Sequence, residues 1–182
     1  TGSDKDLTVS TGSGNITLAA VGASLAPLGD VVLNSSEATT LGGAVYAASF
    51  ATDSSGAGLG TIAINGGRVQ TTGTQTYREA LTLGADTTLS GSTINTGSTV
   101  NAGGNDLTIT GHADIDGDIT GVTNLSVSGT SNLGAKVTTT GMQTYTGAVT
   151  LSSDVELSSI NSDITFTAVS YTHLTLPTNR EV

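Results

Sequence analysis

The chain has 182 residues, 15 acidic and 5 basic, for a formal net charge of −10, and Thr (34), Gly (25) and Ser (21) fill 80 positions, some 44% of it. Six aromatics, no Trp and no Cys exclude a wide layered core, disulfide staples and thiolate chemistry, and two His exclude a His-rich metal centre. Scattered acids with almost no Lys or Arg also exclude nucleic-acid binding, while 36% apolar and only 11% charged residues still suffice to fold around a thin core.

In chain order, Asp6-Leu7-Thr8-Val9-Ser10 and Gly14-Asn15-Ile16-Thr17-Leu18 alternate apolar with hydroxyl or polar side chains, the period of a half-buried strand. The Ala-rich stretch from Ala19 to Ala26 is the one helical candidate, held to a turn or two by Gly22 and Pro27. The strand pattern returns at Thr61-Ile62-Ala63-Ile64, Leu81-Thr82-Leu83, Asp106-Leu107-Thr108-Ile109-Thr110, Asn124-Leu125-Ser126-Val127-Ser128 and Asp163-Ile164-Thr165-Phe166-Thr167. Strands of four to six residues are predicted, broken by Gly, Asn and Asp that tolerate the left-handed backbone angles of sharp corners. No run approaches the roughly 18 apolar residues of a membrane helix, so direct membrane insertion by this segment is not expected. Thr1 opens in mid-pattern without Met or a signal peptide, and no capping coil is visible, so the chain is expected to be a piece of a longer protein.

From Val169 the texture changes. Val169-Ser170-Tyr171-Thr172-His173-Leu174-Thr175-Leu176-Pro177-Thr178 has no Gly, and the last fourteen residues hold one of the two His and one of the two Pro. This decapeptide resembles one reading-frame translation of a transposase-type sequencing adapter. The resemblance implies that residues 169–182 are a non-native tail and that the folded segment is 1–168.

Within 1–168 the chain repeats itself. Residues 69–90 and 137–158, 68 apart, are identical at 13 of 22 positions, including Thr71-Thr72-Gly73 with Thr139-Thr140-Gly141 and Gln75-Thr76-Tyr77 with Gln143-Thr144-Tyr145. The shorter units at Asp106 and Asn124 begin 18 residues apart, near the length of one coil of a strand solenoid. A 68-residue unit then holds about three coils, and the segment about seven. Short units, small side chains and missing aromatics favour a right-handed parallel β-helix, an all-β solenoid; tandem β-sandwich modules are the alternative.

The two Thr-Thr-Gly-x-Gln-Thr-Tyr copies, Leu83-Gly84-Ala85-Asp86-Thr87-Thr88-Leu89 and Gly103-Gly104-Asn105-Asp106-Leu107-Thr108-Ile109 resemble the large repetitive exoproteins of Gram-negative bacteria, the filamentous-haemagglutinin-like and autotransporter-type adhesins. The resemblance covers most of 1–168 and is to a style of repeat. It implies a β-helix shaft secreted to the bacterial cell surface, with roles in adhesion or biofilm. A host or neighbouring-cell receptor or glycan would be met by other regions of the parent protein.

Candidate chemistry is sparse. Asp114-Ile115-Asp116-Gly117-Asp118 sets three carboxylates at alternate positions, where mutual repulsion invites a cation, and Asp114, Asp116 and Asp118 are a weak Ca²⁺ candidate. The sequence lacks the Gly and Glu of an EF-hand loop at the required positions, so a solvated acidic corner is the competing reading. No other cofactor and no catalytic residue is expected. A polysaccharide-active β-helix lyase or hydrolase is the alternative function, but only Lys5, Arg68, Arg78 and Lys136 precede the tail as basic partners. His112 beside Gly111 reads as an exposed turn residue. Tyr77 and Tyr145, at one repeat position, are expected to stack along one ladder or cover a corner.

Overall fold

Alternation of apolar and hydroxyl side chains gives each short stretch one apolar side, which an isolated strand cannot bury. The structure is a computed structural model describing residues 4–53 and 60–168, and among the described residues it contains twenty strands and no helix. In chain order they are β1 (Leu7–Gly12), β2 (Ile16–Leu18), β3 (Leu28–Ser35), β4 (Ala38–Leu41), β5 (Val45–Thr52), β6 (Thr61–Ile64) and β7 (Arg68–Thr71). Next come β8 (Gln75–Tyr77), β9 (Ala80–Leu83), β10 (Thr87–Thr96), β11 (Val100–Asn101), β12 (Leu107–Ile115), β13 (Ile119–Val122) and β14 (Leu125–Val127). The last are β15 (Ser131–Leu133), β16 (Val137–Thr139), β17 (Gln143–Tyr145), β18 (Val149–Leu151), β19 (Leu157–Ser159) and β20 (Ile164–Phe166). The tail reading, 169–182, lies outside the described residues.

Each strand pairs in parallel with the strand one turn further on. Leu107 faces Leu125, which faces Gln143, steps of 18 residues; Leu7 faces Val31 and Val45 faces Val69, steps of 24. This is a parallel β-solenoid. Tandem sandwiches would require antiparallel ladders between sequence neighbours, and none joins the described strands.

The cross-section has three sides. An eight-stranded sheet of β2, β4, β6, β9, β11, β13, β16 and β19 forms one, here the third face. The larger sheet bends at a corner into a first face (β7, β14, β17, β20) and a second face (β8, β15, β18), with β5, β10 and β12 long enough to run through the bend. One third-face strand per turn gives eight turns, not the seven expected. The discrepancy follows from corners that need only a few residues, so the later coils close in 18 to 21.

The same compactness changes the meaning of the 68-residue repeat. Val69 lies on the first face, in β7, and its match Val137 lies on the third, in β16; Gln75 and Tyr77 lie on the second face, and Gln143 and Tyr145 on the first. From β7 to β16 the chain advances three full turns and two further faces. Sixty-eight residues are therefore not three coils, and Tyr77 and Tyr145 do not share a ladder. Nor is the Ala-rich stretch helical: Val21 is buried and bridges to Val45, and Ala23 and Ala26 exchange hydrogen bonds of 3.2 and 3.0 Å across a tight turn. Burial and bridging of Val21 outweigh the helical preference of the Ala residues, which is under about 1 kcal/mol per residue.

Inward residues stack in ladders along the axis. On the first face Val45, Val69, Leu89, Ile109 and Val127 succeed one another, all fully buried; on the third, Ile62, Leu81, Val100, Ile119 and Val137 do the same. Two devices fix the corners. Between the first and second faces, Gly91, Gly111, Gly129 and Gly147 stack on one another, and a Cβ at Gly129 would collide with the Gly111 carbonyl. Between the third and first faces, side-chain oxygens reach from coil to coil. Asp86 Oδ1 accepts from Asp106 N (2.9 Å), Asp106 Oδ1 from Asn124 N (2.9 Å), and Asn124 Oδ1 from Met142 N (3.0 Å). Left-handed angles do not explain these acids: among described non-Gly residues only Asp4 and Asp53 have positive φ.

Candidate functional site

The three carboxylates singled out by spacing sit around one turn of chain. Asp114 projects outward from β12, where its Oδ1 accepts from Asn132 Nδ2 at 2.8 Å, extending a polar row in which Thr150 Oγ1 donates to Asn132 Oδ1 at 3.3 Å. Asp118 Oδ1 accepts from Lys136 N at 3.0 Å, the same coil-to-coil role as Asp106. Asp116 is exposed. Among the described residues no group of three or more His, Cys, Asp or Glu side chains converges to hold a metal ion. His112 is exposed, and its Nδ1 accepts from Thr130 N at 3.1 Å.

Tyr77 and Tyr145 point inward and are fully buried. In each copy the preceding Gln is buried too. Gln75 Nε2 lies 3.0 Å from Val69 O, 3.3 Å from Thr71 Oγ1 and 2.8 Å from Ser90 O, and Tyr77 Oη donates to Gln75 Oε1 at 2.8 Å. Gln143 Nε2 meets Val137 O (3.4 Å), Thr139 Oγ1 (3.2 Å) and Ser158 O (2.8 Å), and Tyr145 Oη donates to Gln143 Oε1 at 3.1 Å. Thr71 and Thr139 turn their hydroxyls to the carbonyls of Gly73 and Gly141 at 2.8 and 2.7 Å. The repeated motif is thus a polar plug that closes a corner from inside, built identically on two different pairs of faces. Burial holds both phenols well above their ordinary pKa. Phe50 packs on Tyr77 and Phe166 on Tyr145, with ring centroids 5.6 and 5.3 Å apart.

Two charged groups inside the solenoid, Glu79 and Asp53, were not singled out by sequence. Glu79 follows β8 at the corner between the second and third faces, is 2% exposed, and among the described residues has no hydrogen-bond partner at either oxygen. Desolvation, and second the neighbouring Asp53, push its pKa from 4.5 up to about 7. Asp53 is fully buried. The repeat itself carried the signal: at the position matching Glu79 the second copy has Gly147.

The outer surface is made of short hydroxyl rows. Thr88, Thr108, Ser126, Thr144 and Thr165 are in register on the first face. Lys136 pairs with Glu156 at 3.0 Å, both side chains being largely exposed. No protein-family model, no curated protein and no solved structure matches this chain.

Proposed function

We propose that this segment is a structural shaft of a large secreted or surface-exposed bacterial adhesin, one that carries a receptor- or glycan-binding region of the parent protein away from the cell. The observation that carries this reading is the unbroken parallel pairing of coil on coil, combined with outward positions given over to Thr, Ser and Asn. Such a surface has few features for a ligand to select, whereas the chain's invested chemistry, the Gln–Tyr plugs and the Asp and Asn oxygens that accept from the next coil, all faces its own backbone. Eight turns at about 4.8 Å each give roughly 38 Å of rod. An acidic net charge keeps such a rod from sticking to anionic cell surfaces.

The test is location. Antibodies raised against this segment are expected to label intact bacteria producing the full-length protein, and external protease to remove the label. Labelling that requires cell lysis would overturn the reading.

A further inference from the structure

Glu79 is surrounded by oxygen. A Cβ built on Gly60 would lie 2.7 Å from the Ser35 carbonyl oxygen, 2.6 Å from that of Glu37 and 2.8 Å from Glu79 Oε1, so three oxygens contributed by the coils on either side pack against the same side of Gly60 and lie close to one another. Asp53 ends the intervening coil's second-face strand: Ala51 is in register with Thr76, and Arg78 N donates to Thr52 Oγ1 at 3.3 Å, which sets Asp53 at the same corner as Glu79. A buried carboxylate facing acceptors is costly unless a cation or a proton neutralises it. The corner does not itself require a carboxylate, because in the next coil, where Thr96 is the register partner of Tyr77, the residue two positions on is Ser98.

We propose that Glu79 and Asp53 bind one divalent cation, Ca²⁺, at this corner, with the main-chain oxygens of Ser35 and Glu37 as neighbouring donors and water completing the shell. The donors are all oxygen, two of them main-chain carbonyls at the end of β3 and two residues beyond it, which suits the six to eight flexible ligands of Ca²⁺ and not the thiolate and imidazole sets preferred by Zn²⁺. A site here would tie three successive coils together beside the corner, stiffening the rod. It is distinct from the exposed corner of Asp114, Asp116 and Asp118.

The experiment is calorimetric titration of Ca²⁺ into the EDTA-stripped full chain, paired with thermal unfolding of wild type, E79Q, D53N and D116N in EDTA and in millimolar Ca²⁺. One site per chain is expected, with a Tm rise of about 5 °C in wild type and D116N. Both effects should vanish in E79Q and be weakened in D53N. E79Q in EDTA should unfold no earlier than wild type, because an amide can donate to the surrounding carbonyls. No heat and no Tm change in wild type would overturn the proposal and leave a proton as the group that neutralises Glu79. A Ca²⁺ effect that survives in E79Q, or that is lost in D116N, would also overturn it by placing the ion elsewhere.

Discussion

Gln75 and Gln143 each reach two main-chain carbonyls inside a corner, and each is held by a tyrosine hydroxyl two residues on. Removing that hydroxyl leaves a buried amide oxygen unpaired, so Y77F and Y145F are each expected to cost about 1–2 kcal/mol by urea denaturation. Since burial raises both phenol pKa values, their phenolates are expected to form only as the protein unfolds, seen as coincident near-ultraviolet absorbance and circular dichroism transitions in alkali. Glu79 carries a pH signature of the same sign in a lower window. Its native pKa, about 7, lies above its ordinary 4.5, so the native state binds the proton more tightly and the stability that Glu79 contributes is fully present only below 4.5. In metal-free buffer, stability is expected to fall as pH rises from 4.5 to 7 and then level off, by up to about 3 kcal/mol, and E79Q should flatten that slope. A wild-type curve that falls no more steeply than that of E79Q across this window would contradict the burial of Glu79.

At the scale of a strand and its corner, the acids and glycines have separate duties. Asp106 Oδ1 accepts from both the backbone N and the Nδ2 of Asn124, so D106A should cost about 1.5–3 kcal/mol, while D106N, which keeps the oxygen, should cost much less. In the glycine column, G129A forces a methyl into the carbonyl of the preceding coil and is expected to cost about 2–3 kcal/mol, measured by denaturant unfolding. The strands were legible because period-2 alternation is a local property, present in Thr61–Ile64 or Leu125–Val127 without reference to any neighbour. The corners were not. Asp106 and Asn124 stood out as residues that break strands, but a left-handed turn and an acceptor for the next coil use the same residue types, and only the stacking distinguishes them. Glu79 stayed hidden for the same reason, since its surroundings come from three different coils.

For the molecule as a whole, the duplication shows that the unit of this sequence is a face with its corner. One motif closes the second face in one copy and the first face in the other, which is possible because all three sides are parallel ladders with the same spacing and inward preference. Length alone therefore misjudged the turns: 68 residues divided into whole coils gives a coil too long by several residues. The apolar ladders also explain the exposure of Leu151 and Phe166 in the last described coil, which no further described coil covers. The function proposed for the segment rests on the parallel pairing of one described coil on the next. Its absence of cysteine makes the register open to direct measurement. Ser126 and Thr144 are register partners on the first face, and Thr76 and Asn95 on the second, each pair within the Cα separation that a disulfide spans. Under mild oxidation, the double variants S126C/T144C and T76C/N95C are both expected to form an intramolecular disulfide almost completely, seen as a mobility shift on non-reducing gels. A folded S126C/T144C variant that stays reduced would contradict the rotated, three-sided solenoid on which the whole account stands.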